Sequence, residues 1–266
     1  MMALTDDSPL VAELRAAAQR YAALARSAAD GSQQVPGSAW TVRESVAHVA
    51  TAAPRFAKFP QGTQRVASTP AEVAALNAEE IEALGDQTPG ELAGLLENSV
   101  EQVISQIEGY GDQPPAFRFH GGCLIHADVA LGILLGELVV HGWDLARQQR
   151  RSWPITRQQV SLIWSGVEPI LPGWVDPARA AGPSAAYAVH LGDGPPRRLR
   201  FTNGTLTTTL PPRNRIDCHV GGDPAAILLV VYRRRSPWRA AMTGRVIAWG
   251  RRPWLALSMA DRFCPP

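Results

Sequence analysis

CLIHADVALGILLGELVVHGWDLAR, residues 123–147, is apolar on nearly every side for about seven helical turns. A helix of that composition is stable when other helices bury it, so the stretch predicts a helical bundle. One narrow stripe of it carries four ionisable side chains. Glu137 and His141 are four residues apart, which places them about 40° apart on the helix surface and one turn above each other. Asp144 falls about 20° to the other side of Glu137, and so does His126, three turns earlier. Asp128 lies on the opposite face.

A carboxylate on such a helix costs several kcal/mol unless something compensates it. Two compensations are open. One is a Glu137–His141 ion pair that serves only the fold. The other is a metal ion held by carboxylate and imidazole, with a further ligand from a facing helix. His126 is eleven residues from Glu137, about 16 Å along the axis, too far to share that ion. Cys123, beside it, reads as a small core residue rather than a nucleophile.

Toward the N-terminus the chain continues as helices. Pro9 to Ala29 carries Leu10, Leu14, Ala17, Tyr21 and Leu24 at three- and four-residue steps. A second helix begins at Thr41, where Thr41-Val-Arg-Glu44 has the form of a capping box. Val42, Val46, Val49 and Ala53 form its apolar stripe, and His48 lies off that stripe beside Ser45 and Ala52. Small neighbours leave room there for a ligand or for a close helix approach. Residues 72–84, 89–108 and 156–170 read as three more helices. Trp40 and Trp143 flank the polar positions and read as pocket walls or as core.

Toward the C-terminus the pattern changes at PGWVDPARAAGPS, residues 172–184. Short β-like runs follow, with an Asn203-Gly204 hairpin signal between RRLRF and TLTTTL. Asp223 to Tyr232 reads as a capped helix, Val246 to Trp249 as a strand and Pro253 to Asp261 as a short helix. The expectation is a helical bundle over residues 1–175 and a smaller α+β domain over 185–266.

The net charge of +2 hides a split. Residues 181–266 hold 13 basic residues and four acidic ones; residues 1–180 hold 13 and 20. The arginines lie among strand-like runs without finger or helix-turn-helix spacing, so nucleic acid is not an expected partner. The longest apolar run, Val129 to Gly136, stops at Glu137, so no membrane span and no membrane partner are expected. The three cysteines form no metal or disulfide pattern, and MMALTDDSPL lacks the basic start of a secretory signal. A cytoplasmic protein is the resulting expectation.

W-T-V-R-E-x-V-A-H-V at residues 40–49 and G-E-L-V-V-H-G-W-D-L-A at 136–146 resemble the mycothiol-dependent maleylpyruvate isomerase family, within the DinB-like metal-binding helical bundles. D-C-H-V-G-G-D-P-A-A-I-L-L-V-V-Y-R and T-G-R-V-I-A-W-G-R-R-P resemble that family's C-terminal domain, an α+β unit similar to sterol carrier proteins. The resemblance implies a divalent metal, usually zinc, held by His48, Glu137 and His141, with a fourth position open as in catalytic zinc sites. It also implies mycothiol, the low-molecular-weight thiol of actinobacteria, as a cosubstrate that the metal activates for attack on a small electrophilic substrate. Isomerase and S-transferase members differ in whether the thiol leaves again. Asp144 is the candidate for orienting an imidazole or touching substrate. The family is thought to use an arginine of the second domain, and Arg233, Arg245, Arg251 and Arg252 are the candidates here. Two other readings use the same chain: a metal-dependent hydrolase, or a non-catalytic binder of lipid or small molecules with an apolar cavity beneath the second sheet. A monomer or a homodimer is compatible with all of them.

Overall fold

The computed structural model describes residues 5–6, 8–192, 194–209 and 215–264. The chain divides into two compact units, Met1–Pro154 with Leu162–Gly166, and Ile155–Ser161 with Val167–Pro266. An N-terminal helical bundle is followed by a small α+β unit. Half of MMALTDDSPL (residues 1–4 and 7), and Leu210 of the TLTTTL run, lie outside the described residues.

The first unit is built on α1 (Pro9–Arg26), α2 (Val42–Lys58), α4 (Pro89–Glu108) and α5 (Ala127–Gln148), with α3 (Pro70–Ala83) beside α2. Each start is set locally. Ser8, Thr41, Thr69 and Thr88 cap the first four helices, and Thr41–Glu44 and Thr88–Glu91 both close as capping boxes. Burial of α2 extends well beyond its valine stripe, to Ser45, His48 and Ala52, because α4 and α5 cover different sides of it.

α5 is shorter at its start than the sequence suggests. Leu124–His126 form a strand, β2, antiparallel to β1 (Ala116–Arg118), and a 3-10 turn over His120–Gly122 joins the two. His126 is therefore the residue before the helix, and its Nδ1 lies 3.2 Å from the Pro114 carbonyl oxygen. By length and composition α5 could cross a membrane, whereas its longest apolar run alone is too short. However, 83% of its most apolar window is buried inside the protein. Gly132 of α5 meets Gly166 of α6 (Arg157–Val167): a Cβ on Gly132 would fall 2.7 Å from the Leu162 carbonyl oxygen and 2.9 Å from Gly166 Cα. Only two facing glycines allow backbones that close.

In the second unit α6 gives way to a 3-10 segment over Glu168–Trp174 and a short α7 (Pro177–Ala180). The strands β3 (Ala185–Val189), β4 (Arg197–Thr202), β5 (Thr205–Thr207), β6 (Cys218–Gly222) and β7 (Val246–Trp249) form one sheet in the order β5-β4-β3-β6-β7. β3 and β6 are parallel, and the other pairs are antiparallel. Asn203 and Gly204 both have positive φ, 50° and 78°, as the tight β4–β5 hairpin requires. α8 (Pro224–Val231) is capped by Asp223, and α9 (Pro237–Met242) by Ser236. The final helical stretch consists of two 3-10 turns, Pro253–Ser258 and Ala260–Arg262.

Candidate metal centre

The polar stripe of α5 faces α2, and three side chains meet. His48 Nε2 lies 3.0 Å from Glu137 Oε2, and His141 Nε2 lies 3.3 Å from the same oxygen. One candidate ligand atom from each residue falls within 4.8 Å of the others. The two imidazole rings pack edge to face at 4.9 Å. The Trp40 ring lies 4.5 Å from His48 and 5.8 Å from His141, so it covers both imidazoles from one side. Glu137 is the open corner: 27% of its side chain is exposed, against 7% for His48 and 11% for His141.

The electrostatics suit a cation. Burial pushes the Glu137 carboxyl up, but hydrogen bonds from His141 and His48 outweigh it and hold the group well below the usual carboxylate range. Burial lowers His48 to about 4, against the pull of Glu137, so its imidazole is neutral at pH 7. An ionised carboxylate and a neutral imidazole are the forms that bind metal. His48 Nδ1 is buried without a hydrogen-bond partner. Asp144, 3% exposed, places Oδ2 at 3.6 Å from His141 Nδ1, behind the ring and away from Glu137.

Neighbouring side chains fix this arrangement. Trp153 donates from Nε1 to the Val139 carbonyl at 3.0 Å and lies across Gly142, where a Cβ would fall 2.2 Å from its ring. Tyr21 of α1 donates to the Ser45 carbonyl at 3.2 Å, one turn before His48. Trp143 carries Arg147 over its ring at 4.5 Å. His126, held by Pro114, is not part of the cluster.

The four arginines considered for substrate charge each have a partner within the second unit. Arg233 donates to the Ala260 and Phe263 carbonyls, Arg245 pairs with Asp223, Arg251 with Asp217, and Arg252 donates to the Ser184 carbonyl. The same unit has a cavity of about 340 Å³ against its sheet, lined by Val220, Ile227, Val231, Ala241, Val246 and other apolar residues.

His120 escaped the sequence reading because no periodic pattern reaches it; two glycines after a histidine were the available signal. Gly121 and Gly122 both take positive φ, 76° and 78°, and turn the chain so that Ala67 N–H donates to His120 Nδ1 at 3.0 Å. That bond leaves the ring proton on Nε2, which is buried and unpartnered. Burial lowers His120 to about 4, helped by Arg55 and opposed by Glu137. Between pH 6.5 and 4 the unfolded imidazole binds a proton that the folded one does not, so stability falls as pH falls through that window. We expect His120→Asn to remove roughly 2–3 kcal/mol of that acid-side loss. Urea unfolding of both proteins at pH 7 and pH 4.5 checks this; equal acid sensitivity would disprove it.

Comparison with known proteins follows the same outline. No curated protein matches the chain. Two solved structures, the mycothiol-dependent maleylpyruvate isomerase and a histidine-to-alanine variant of it, match with TM-scores of 0.52 and 0.55. Each is 19% identical, covering 89% of this chain and 93% of the other, a likeness of fold. The family model described as Mycothiol maleylpyruvate isomerase N-terminal domain matches residues 11–146, the span that carries α2, α5 and all three converging side chains. That match takes in just over half of the chain, which therefore belongs to this family.

Proposed function

We propose that the protein is a metal-dependent, mycothiol-using isomerase acting on a small electrophilic substrate. The observation that carries this reading is the meeting of two imidazole nitrogens on one half-open carboxylate, in a chain of this family. His48, Glu137 and His141 would hold a divalent ion, and two nitrogen donors with one oxygen donor favour zinc. When bound, such an ion supplies Lewis acidity that lowers the pKa of a thiol.

The chain's own residues supply the rest. Glu137 stays ionised and His48 neutral, so neither competes for the thiol proton at pH 7. Trp40 shields both imidazoles from solvent on one side, leaving approach past Glu137. In isomerisation a thiolate adds to one carbon of an activated cis double bond, forming a C–S bond and an enolate. The former double bond rotates, the enolate re-forms it, and the thiolate departs with its electron pair. If the adduct is instead protonated and released, the same site is an S-transferase.

The test is isomerisation measured with and without mycothiol. Full dependence on the thiol supports the proposal; isomerisation that survives its removal overturns it, and a hydrolysed product formed without the thiol favours a hydrolase acting through activated water. The apolar cavity favours the binding-protein reading, and unchanged function in a Glu137 variant would establish it. We place the reaction in the cytoplasm, where a thiol pool stays reduced; Cys123, Cys218 and Cys264 form no disulfide.

Asp144 is proposed as the positioning residue for His141. Asp144→Asn should weaken zinc affinity on the order of tenfold to a hundredfold while leaving the fold intact. Competition against a chelator of known affinity measures this, and an unchanged zinc affinity removes Asp144 from the site.

A further inference from the structure

We propose that β7 is the seam of a homodimer: the outer edge of this strand pairs, antiparallel and about a two-fold axis at Ile247, with the same strand of a second copy of the chain. The seam belongs wholly to the second unit and involves none of the metal-centre residues.

β7 ends the sheet, with β6 on its inner side. The ladder to β6 fixes which of its backbone groups remain. Asp223 N–H donates to the Arg245 carbonyl at 2.7 Å, and the register sets Gly221 opposite Ile247 and His219 opposite Trp249. In an antiparallel pair every second residue turns its N–H and C=O inward, so Arg245, Ile247 and Trp249 face β6. Val246 and Ala248 turn theirs the other way. Among the described residues those outward groups meet no hydrogen-bond partner. Sheet edges that stay single are commonly guarded by lysine or proline. Val246-Ile247-Ala248-Trp249 has neither, and it is exposed from Ile247 onward.

The surroundings are apolar as well. Seven large apolar side chains are exposed among the described residues, and five of them, Trp238, Met242, Ile247, Trp249 and Trp254, fall within residues 238–254. All five belong to β7 or to elements in contact with it, α9 and the 3-10 turn over Pro253–Ser258. Each is between 42% and 77% exposed. At about 200 Å² for a fully exposed side chain of this size, together they present on the order of 600 Å². A stable association buries about 800 Å² per partner, so this surface and its rim are of the size required.

Self-pairing is what the order of residues favours. With the axis at Ile247, Val246 falls opposite Ala248 of the second copy, and Ala248 opposite its Val246. The outward N–H and C=O groups of both strands then close four hydrogen bonds. Ile247 falls opposite Ile247 in a pair without hydrogen bonds, where Cα atoms approach to about 4.5 Å and side chains touch. Arg245 falls opposite Trp249 on both sides of the axis, which sets a guanidinium beside an indole twice. Gly244 and Gly250 also fall opposite each other. Both have positive φ, 65° and 112°, so each strand stops where the other does. Arginine charge, which would oppose self-association, is balanced within each copy: Arg245 pairs with Asp223 and Arg251 with Asp217. Two five-stranded sheets become one continuous sheet.

Sedimentation velocity of the full chain over a range of concentrations tests the dimer, and engineered cysteines test its register. The parent protein should show a concentration-dependent dimer. Ile247→Lys sets two like charges on the axis and should weaken dimerisation on the order of a hundredfold. Ala248→Pro removes one outward donor, leaves the β6 ladder intact and should weaken it about tenfold. Thr207→Lys, on the opposite edge strand β5, should dimerise as the parent does. Ile247→Cys should cross-link between copies under diamide, beyond any background in the parent, because the axis brings the two positions within disulfide reach. Trp249→Cys should not, since its two copies lie four residues, about 13 Å, apart along the seam. A parent protein that stays monomeric at millimolar concentration overturns the proposal. So does a dimer that both edge variants leave unchanged, or one that Thr207→Lys disrupts as strongly as Ile247→Lys. A dimer without the Ile247→Cys cross-link overturns the two-fold pairing at Ile247.

Discussion

Glu137→Ala protein is expected to purify without metal, where the parent protein should carry about one zinc-like ion per chain. Glu137 is the one residue both imidazoles approach, at 3.0 and 3.3 Å, so its removal leaves two neutral donors with no charge to hold a dication. His48→Ala should have the same effect through loss of one nitrogen. Thiol-dependent turnover should fall on the order of a thousandfold or more in both, because activation of a nucleophile is lost outright. His126→Ala is the control: its ring lies outside the cluster on a separate strand, and both metal and turnover should persist. Elemental analysis of the four proteins decides the matter. Equal metal loss from His126→Ala would sink the assignment, and so would a full complement in Glu137→Ala.

The second large effect concerns packing. Gly132→Val should destabilise the first unit by roughly 3 kcal/mol or more. The added carbons meet the Leu162 carbonyl and the Gly166 backbone, which cannot swing aside as a side chain would. The backbone over Leu162–Gly166 would have to move away from α5. Gly94→Ala offers the contrast: nothing lies within 4 Å of a Cβ there, and a helical alanine should be neutral or slightly stabilising. Thermal melts of both variants check the prediction, and equal midpoints would refute it.

Much of this architecture is legible in the residues because its signals are local. The capping boxes at Thr41 and Thr88, the Asn203-Gly204 turn and the even greasiness of α5 each act within a few residues. The Glu137–His141 pair is legible for the same reason, since helix geometry alone sets it one turn apart. His48 was within reach only through family resemblance, because what brings it to Glu137 is the packing of α2 on α5 across 89 residues of chain. Leu124–His126 reads as helix in the sequence and is a strand in the structure. Its alternation is too short to stand out beside the apolar run that follows, and pairing with Ala116–Arg118 decides it. His120 is hard to read from sequence for a related reason: what marks it is an unmatched polar atom, a property of packing rather than of spacing.

The long loop between the donors has a thermodynamic corollary. An unfolded chain cannot gather His48 and Glu137, so an ion captured by the centre selects the native ensemble and raises its population by mass action. Heat resistance would then track free zinc at about 1.4 kcal/mol for each tenfold rise above the dissociation constant. A chelator would depress the melting midpoint before any turnover is measured, making calorimetry a gauge of occupancy.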